Sequence, residues 1–71
     1  MERQEFGRRL NEAIKMSGLT IKDIAEKMEV DGALICHYKS GRYCPSIFYL
    51  KKLCQILDVS ADYMLGLKEY P

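Results

Sequence analysis

Between Ala33 and Leu57 the chain carries no acidic residue, while Lys39, Arg42, Lys51 and Lys52 all fall there, making this window locally +4 on a molecule of formal net charge +1. The flanks differ: residues 1–31 hold six basic and seven acidic side chains, and residues 58–71 hold one and three. A positive sector set apart from a balanced remainder is what a polyanion would meet, although a charge run also serves simply as a solvated face. Other chemistry is sparse. His37 is the single histidine and has no acid near it in the chain, so nothing arranges a nucleophile, a base and an oxyanion site, and no enzyme is expected. Cys36, Cys44 and Cys54 are odd in number and stand eight and ten residues apart. That spacing suits neither a disulfide framework nor a paired-ligand zinc site. The expectation is reduced thiols, with Cys36 and Cys54 at least partly buried, and no metal, cofactor or small-molecule substrate.

A chain of 71 residues, 48% hydrophobic and 30% charged, reads as one globular domain over residues 1–71. At that size a single core supplies only a few kcal/mol of net stability, so little apolar surface can be spared. The apolar runs fall far short of the roughly 20 residues a membrane span needs, and Met1-Glu2-Arg3-Gln4 does not open a signal peptide. A cytoplasmic protein with no membrane partner is expected.

The elements that must position the basic window follow from helical periodicity. Phe6, Leu10, Ala13 and Ile14 recur at i, i+4, i+7 and i+8, which predicts an amphipathic helix over residues 2–16 with Arg3, Arg8, Arg9, Glu12 and Lys15 on its other faces. Ser17-Gly18 closes it. Thr20 and Asp23 have the form of a capping box opening a second helix, whose inner face is Ile24, Ala25 and Met28. A break at Glu29-Val30-Asp31 follows, with Val30 plugging the angle and Asp31 placed as N-cap of a third helix from Gly32 to about Ser40. Ile35 and Tyr38 point inward, leaving Gly32, Ala33, Cys36, His37, Lys39 and Ser40 on the outer or flanking surface. Gly41 stops this helix. Pro45 is placed at the first position of a fourth helix, whose stripe of Ile47, Leu50, Leu53, Cys54 and Leu57 makes it the expected central packing element. A short fifth helix runs from Ala61 to about Leu67, ending near Gly66. Five short helices and no strand pattern predict an all-α domain.

The spacing of Ile24, Ala25, Met28, Val30, Ile35 and Tyr38 matches the packing positions of a helix-turn-helix. Together with Leu19-Thr20, Glu26-Lys27, Gly41-Arg42, Pro45-Ser46 and the ending Leu57-Asp58-Val59-Ser60-Ala61-Asp62-Tyr63-Met64-Leu65-Gly66, it resembles the DNA-binding domain of phage-repressor type. That type is the Cro and lambda-repressor-like, or XRE, family of bacterial transcriptional regulators. The likeness runs from about Phe6 to Leu67, with its fragments in order and in register. It implies a compact five-helix lambda-repressor-like domain with the third helix in the DNA major groove and the second crossing the backbone. Carried over by position, it sets Gly32, Ala33 and His37 against base edges and Thr20 with the amides it caps against a phosphate. Lys39, Ser40, Arg42 and Tyr43 fall along the sugar-phosphate backbone.

This sequence departs from the family pattern at identifiable places. Glu29 stands where glycine is usual, so a side chain must accept positive φ at a cost of ~1 kcal/mol or a little more. Ile21 replaces a frequent glutamine, Cys36 a serine and Lys39 an acid. Gly32 and Ala33 have no polar side-chain atoms where base readers often stand, and direct readout needs donors and acceptors. Ala33 can touch a thymine methyl and His37 can donate or accept once, so modest base specificity is expected, with Lys39, Arg42 or DNA shape supplying the rest. Tyr63, Met64, Leu65, Leu67 and Tyr70 offer more apolar surface than a small monomer covers, which points to a homodimer on double-stranded DNA. The resulting expectation is a small sequence-specific transcriptional regulator, most readily a repressor of phage or mobile-element type that occupies a palindromic operator. The competing reading keeps the fold but uses it as a protein-interaction module of antitoxin or anti-repressor kind.

Overall fold

The computed structural model describes residues 3–70, which form five α-helices and no strand: α1 (Arg3–Ser17), α2 (Ile21–Met28), α3 (Gly32–Ser40), α4 (Ile47–Leu57) and α5 (Ala61–Met64). Each end is set by a local device. Thr20 caps α2 reciprocally: the Asp23 amide donates to Thr20 Oγ1 and the Thr20 amide donates to Asp23 Oδ2, both at 3.1 Å. Asp31 Oδ1 accepts from the Ala33 amide at 2.9 Å to open α3, and Ser46 and Ser60 open α4 and α5 in the same way.

The helix ends use left-handed caps. Glu29 lies at φ 59°, ψ 42°, and behind it the Val30 amide donates to Ala25 O at 3.0 Å, closing α2. Gly41 (φ 82°) does the same for α3, and Asp58 (φ 56°) for α4. The expected strain at Glu29 is therefore present, and it is matched by a second non-glycine residue that the sequence reading did not single out.

The core is drawn from all five helices: Phe6, Leu10, Ala13 and Ile14 of α1, Ile24, Ala25 and Met28 of α2, Ile35 and Tyr38 of α3, Leu53 and Leu57 of α4, and Tyr63 and Met64 of α5. The inward positions of α1, α2 and α3 are thus those the periodicity assigns. Desolvation raises the Tyr38 phenol above its ordinary pKa, with a smaller push from Tyr49. The central element, however, is α1 rather than α4. Helix α4 buries only Leu53 and Leu57, while Ile47 at its start is 82% exposed and Phe48 is 80% exposed. Only the start of its first turn projects into solvent; Tyr49 and Leu50 pack partly against the core, and the apolar stripe is fully buried only at Leu53 and Leu57.

Pro45 also falls outside α4. It precedes the N-cap Ser46, whose Oγ accepts from the Tyr49 amide at 3.2 Å. A serine hydroxyl can satisfy an orphan amide of the first turn and proline cannot, so the helix starts at Ile47, two residues beyond Pro45. The fifth helix is shorter than expected, four residues ending at Met64, with the chain turning through Gly66 (φ 81°).

Arg9 accounts for how so short a helix is held. It is buried, at 6% exposure, not on an outer face of α1. Its Nη1 donates to the carbonyls of Tyr63 (3.1 Å) and Lys68 (2.9 Å). The guanidinium carbon sits 5.2 Å from the Tyr63 ring centroid. Its Nε lies 3.5 Å from Glu5 Oε1, an ion pair whose angle makes no hydrogen bond, and its Nη2 lies 3.8 Å from Glu69. A buried cation is tolerated only when carbonyl and carboxylate partners surround it, and here those partners are Tyr63 within α5, Lys68 and Glu69 after it, and Glu5 one turn back on α1.

Candidate nucleic-acid interface

The outward side of α3 is small and weakly polar. Ala33, Cys36 and Ser40 are exposed, and Gly32, Leu34, His37 and Lys39 are partly so. A Cβ at Gly32 would meet only Ile21 Cγ2, at 3.7 Å, so the start of α3 lies in ordinary contact with the start of α2. Cys36 is a correction: it is exposed, because it shares the outer face with Ala33 and Ser40 while Ile35 and Tyr38 take the inner one. Cys54 is half-buried as expected, and burial pushes its thiol pKa up. Cys44 is exposed.

At the far end of α3, His37, which the resemblance sets against base edges, and Arg42, which it sets along the sugar-phosphate backbone, meet around Tyr43. The His37 ring meets Tyr43 edge-on, with centroids 5.1 Å apart at 76°, and the Arg42 guanidinium lies 5.6 Å over the other ring's centroid. The Ser40 hydroxyl donates to His37 O at 3.0 Å and accepts from the Arg42 amide at 3.4 Å, so it is tied into the turn that places Arg42. The Arg42 and Tyr43 amides both donate to His37 O. Thr20 stands apart from this group at the exposed start of α2, its hydroxyl engaged by the Asp23 amide. The Thr20 amide, followed by the Thr20 hydroxyl, holds the Asp23 carboxyl below its ordinary value of 3.8, with Lys27 and Lys22 adding smaller pulls.

One contributor was missed by sequence reading. Arg3 Nη1 donates to Arg42 O at 3.3 Å, carrying a further cation from α1 to the turn after α3. Helical spacing places Arg3 off the apolar face of α1 but does not say which neighbour it meets. Among the described residues no group of three or more histidine, cysteine, aspartate or glutamate side chains could hold a metal ion, and no helix is long and apolar enough to cross a membrane.

Two short helices joined through a left-handed residue, the first capped at an exposed N-terminus and the second presenting an unpacked outer side, define a helix-turn-helix. A family profile for the helix-turn-helix domain matches residues 7–69. The chain belongs to that family and is of the XRE, lambda-repressor-like type. The HTH-type transcriptional regulator ImmR of Bacillus subtilis (strain 168) is 36% identical over 64 residues, which are 90% of this chain and 50% of that protein. The chain thus spans about half the length of this curated relative. The clp gene regulator ClgR from C. glutamicum superposes with a TM-score of 0.81 at 25% identity, over 90% of this chain and 83% of that one. The restriction-modification controller protein C.AhdI from Aeromonas hydrophila does so with a TM-score of 0.80 at 24% identity, over 87% and 94%, a likeness of fold.

Proposed function

We propose that this chain is a DNA-binding transcriptional regulator that lays α3 in the major groove of duplex DNA and acts as a repressor by occupying its site. The observation that carries this reading is the combination of an unpacked outer side on α3 with cations at its end: Lys39 on the helix, Arg42 on the turn and Arg3 hydrogen-bonded to that turn. The name of ImmR, a transcriptional regulator, supports the same class.

In this reading Gly32, Ala33 and His37 face base edges. The capped N-terminus of α2 at Thr20 meets a phosphate, and Lys39, Ser40, Arg42 and Tyr43 follow the sugar-phosphate backbone. Because Gly32 and Ala33 offer only van der Waals contact, His37 supplies what direct hydrogen-bonded readout there is, and DNA shape supplies the remainder. The regulator works as a homodimer that places two α3 helices about 34 Å apart, one turn of DNA. The exposed apolar residues available to such an interface are Ile47, Phe48, Leu65, Leu67 and Tyr70, since Tyr63 and Met64 are already in the core.

The test is selection of bound sites from a random duplex pool, followed by affinity measurements across a salt series. Binding sites in the form of a palindrome are expected, with an affinity that falls steeply as salt rises, about −0.9 in log–log slope for each phosphate neutralised. Lys39→Ala and Arg42→Ala should each weaken all sequences alike and flatten the slope by about one. No detectable duplex binding even at low salt would falsify the reading and leave the protein-interaction role, which the poverty of polar atoms at Gly32 and Ala33 favours.

A further inference from the structure

The first helix of the domain carries a polar row, Gln4 and Arg8 exposed and Asn11 partly so, at i, i+4 and i+7, which is one face of the helix. The structure sets this row directly beside the C-terminal end of α3. Gly7 makes the approach possible: a Cβ there would fall 2.3 Å from the Lys39 carbonyl oxygen, so only a residue without a side chain lets the two backbones touch. One turn further back, a Cβ on Gly41 would fall 3.0 Å from Gln4 Cα, so the turn after α3 is seated against the start of α1. Between the two helices lies a shallow cleft of about 500 Å³ lined by Gln4, Arg8, Asn11, Cys36, Lys39 and Ser40 along with Gly7. It contains two cations and no carboxylate. The nearest acid in the sequence of α1, Glu5, is turned away onto Arg9. Among the described residues, neither Arg8 nor Lys39 forms a salt bridge.

We propose that this cleft binds a DNA phosphodiester, with Arg8 of α1 and Lys39 of α3 as the paired cations and Gln4 and Asn11 as neutral hydrogen-bond donors beside them. The inference rests on the DNA-binding reading and adds a binding element to it. A helix lying in a major groove has sugar-phosphate strands beyond both of its ends. The start of α3 adjoins the capped N-terminus of α2, through Ile21 against Gly32. Its other end adjoins the α1 row. The domain therefore holds α3 between two backbone anchors, a helix N-terminus at one end and the Arg8–Lys39 cleft at the other. Paired anchors fix the depth and tilt of a helix that has few base-reading atoms of its own.

The decisive variant is Arg8→Gln, because glutamine has nearly the helix propensity of arginine and the position is exposed. On the selected duplex, Arg8→Gln is expected to lower the log–log salt slope by about one and to weaken matched and random sequences by the same factor. Arg8→Lys should restore the slope, and Asn11→Lys in the wild-type background should steepen it by about one. Lys27→Gln, in a separate cleft with Met16 and Ile56, should leave it unchanged. Phosphate-ethylation interference should show a phosphate whose modification weakens the wild type and has no effect on Arg8→Gln. A wild type that binds duplex DNA with the same slope as both Arg8→Gln and Asn11→Lys overturns the cleft while the DNA reading stands. A sequence-selective loss in Arg8→Gln would make Arg8 a base reader and also overturn it. A wild type with no salt-dependent duplex binding removes both readings together.

Discussion

The α2–α3 unit and the α4–α5 segment are built on different principles, although both consist of two short helices joined through a left-handed non-glycine residue. In the first, every boundary is written within a few residues: Thr20 and Asp23 at the start, Glu29 and Asp31 at the turn, Gly41 at the end. Its inward residues reach the core along the whole length of each helix. In the second, the first turn of α4 leaves Ile47 and Phe48 in solvent, and α5 is only four residues long. What holds that segment is Arg9, whose Nη1 bonds Tyr63 O across 54 positions of chain. Local capping can orient a helix whose outer side must stay unpacked. A helix too short to persist on its own needs a tertiary partner.

Both halves depend on residues two positions apart on α1, Gly7 and Arg9, which suggests the first way to break the comparison. Gly7→Ala places a methyl group against the Lys39 backbone, and backbone cannot step aside as a flexible side chain can. A loss of about 3 kcal/mol is expected, at the upper end for overpacking, read as a lower urea midpoint with an unchanged m-value. An unchanged midpoint would show that the α1–α3 crossing can open without cost. Arg9→Met keeps much of the volume but leaves the carbonyls of Tyr63 and Lys68 without their donor, and should cost about 2 kcal/mol. Hydrogen exchange separates the two cases. Arg9→Met should speed exchange first in α5 and the turns after it, with the α2–α3 amides changing only with global stability. Equal acceleration in both halves would mean that the C-terminal segment is not a separate dependent of Arg9.

How much of this was legible in the sequence divides along the same line. The capping box at Thr20, the N-cap at Asp31 and the stop at Gly41 are where residue type and spacing put them, because each is decided by neighbours within about four residues, while the positive φ at Glu29 is what the family resemblance implies, glycine being usual there. The family resemblance rests on that stretch together with Pro45-Ser46 and the ending from Leu57 to Gly66, and the domain profile over residues 7–69 agrees with it. The differences at Arg9 and Ile47 are tertiary, and those at Pro45 and Cys36 are local. A guanidinium on a helix normally faces outward, and the carbonyls that accept from Arg9 lie beyond residue 60, where no periodicity points to it. Its place in an apolar stripe predicts Ile47 in the core, yet the stripe extends past the body it packs on. Pro45 was given the first position of α4 when Ser46 offered the better cap. Cys36 was judged by its type, although its helical phase relative to Ile35 and Tyr38 already placed it outside. Within the candidate site, the identities of the outer residues of α3 were legible. The grouping of His37, Arg42 and Tyr43, and the approach of Arg3 and Arg8 to the end of α3, depend on how α1 crosses α3 and have no local signature.

Smaller effects test the local side of the comparison. Thr20→Ala removes the hydroxyl that the Asp23 amide donates to, and should cost about 1 kcal/mol. Asp23→Asn addresses the other half of the box through pH. The Asp23 carboxyl is held below its ordinary value by the Thr20 amide first and the Thr20 hydroxyl second. A carboxylate whose folded pKa is depressed stabilises the fold above its unfolded pKa, and that contribution disappears as pH falls through the folded value. The gap in Tm between wild type and Asp23→Asn should therefore be present at neutral pH and close below the ordinary carboxylate range. A gap that persists in acid would show that the amide substitution acts through something other than charge.

The smallest effect bears on the feature that the two halves share. Glu29 (φ 59°) and Asp58 (φ 56°) occupy equivalent left-handed caps, at the ends of α2 and α4. The left-handed region costs a side chain roughly 1–2 kcal/mol, less for aspartate, whose short polar side chain can bond locally there. Glycine removes that strain but gives the unfolded chain more freedom, which offsets part of the gain. Glu29→Gly should accordingly stabilise the domain by about 0.5–1 kcal/mol, and Asp58→Gly by less or by nothing. Thermal melts of the two variants and their combination decide the matter, since the sites close separate helices and their effects should add. If Glu29→Gly lowers Tm, then the glutamate is stabilised in the turn by more than its backbone strain costs. The tight junction of the helix-turn-helix would then depend on that side chain as well as on its caps.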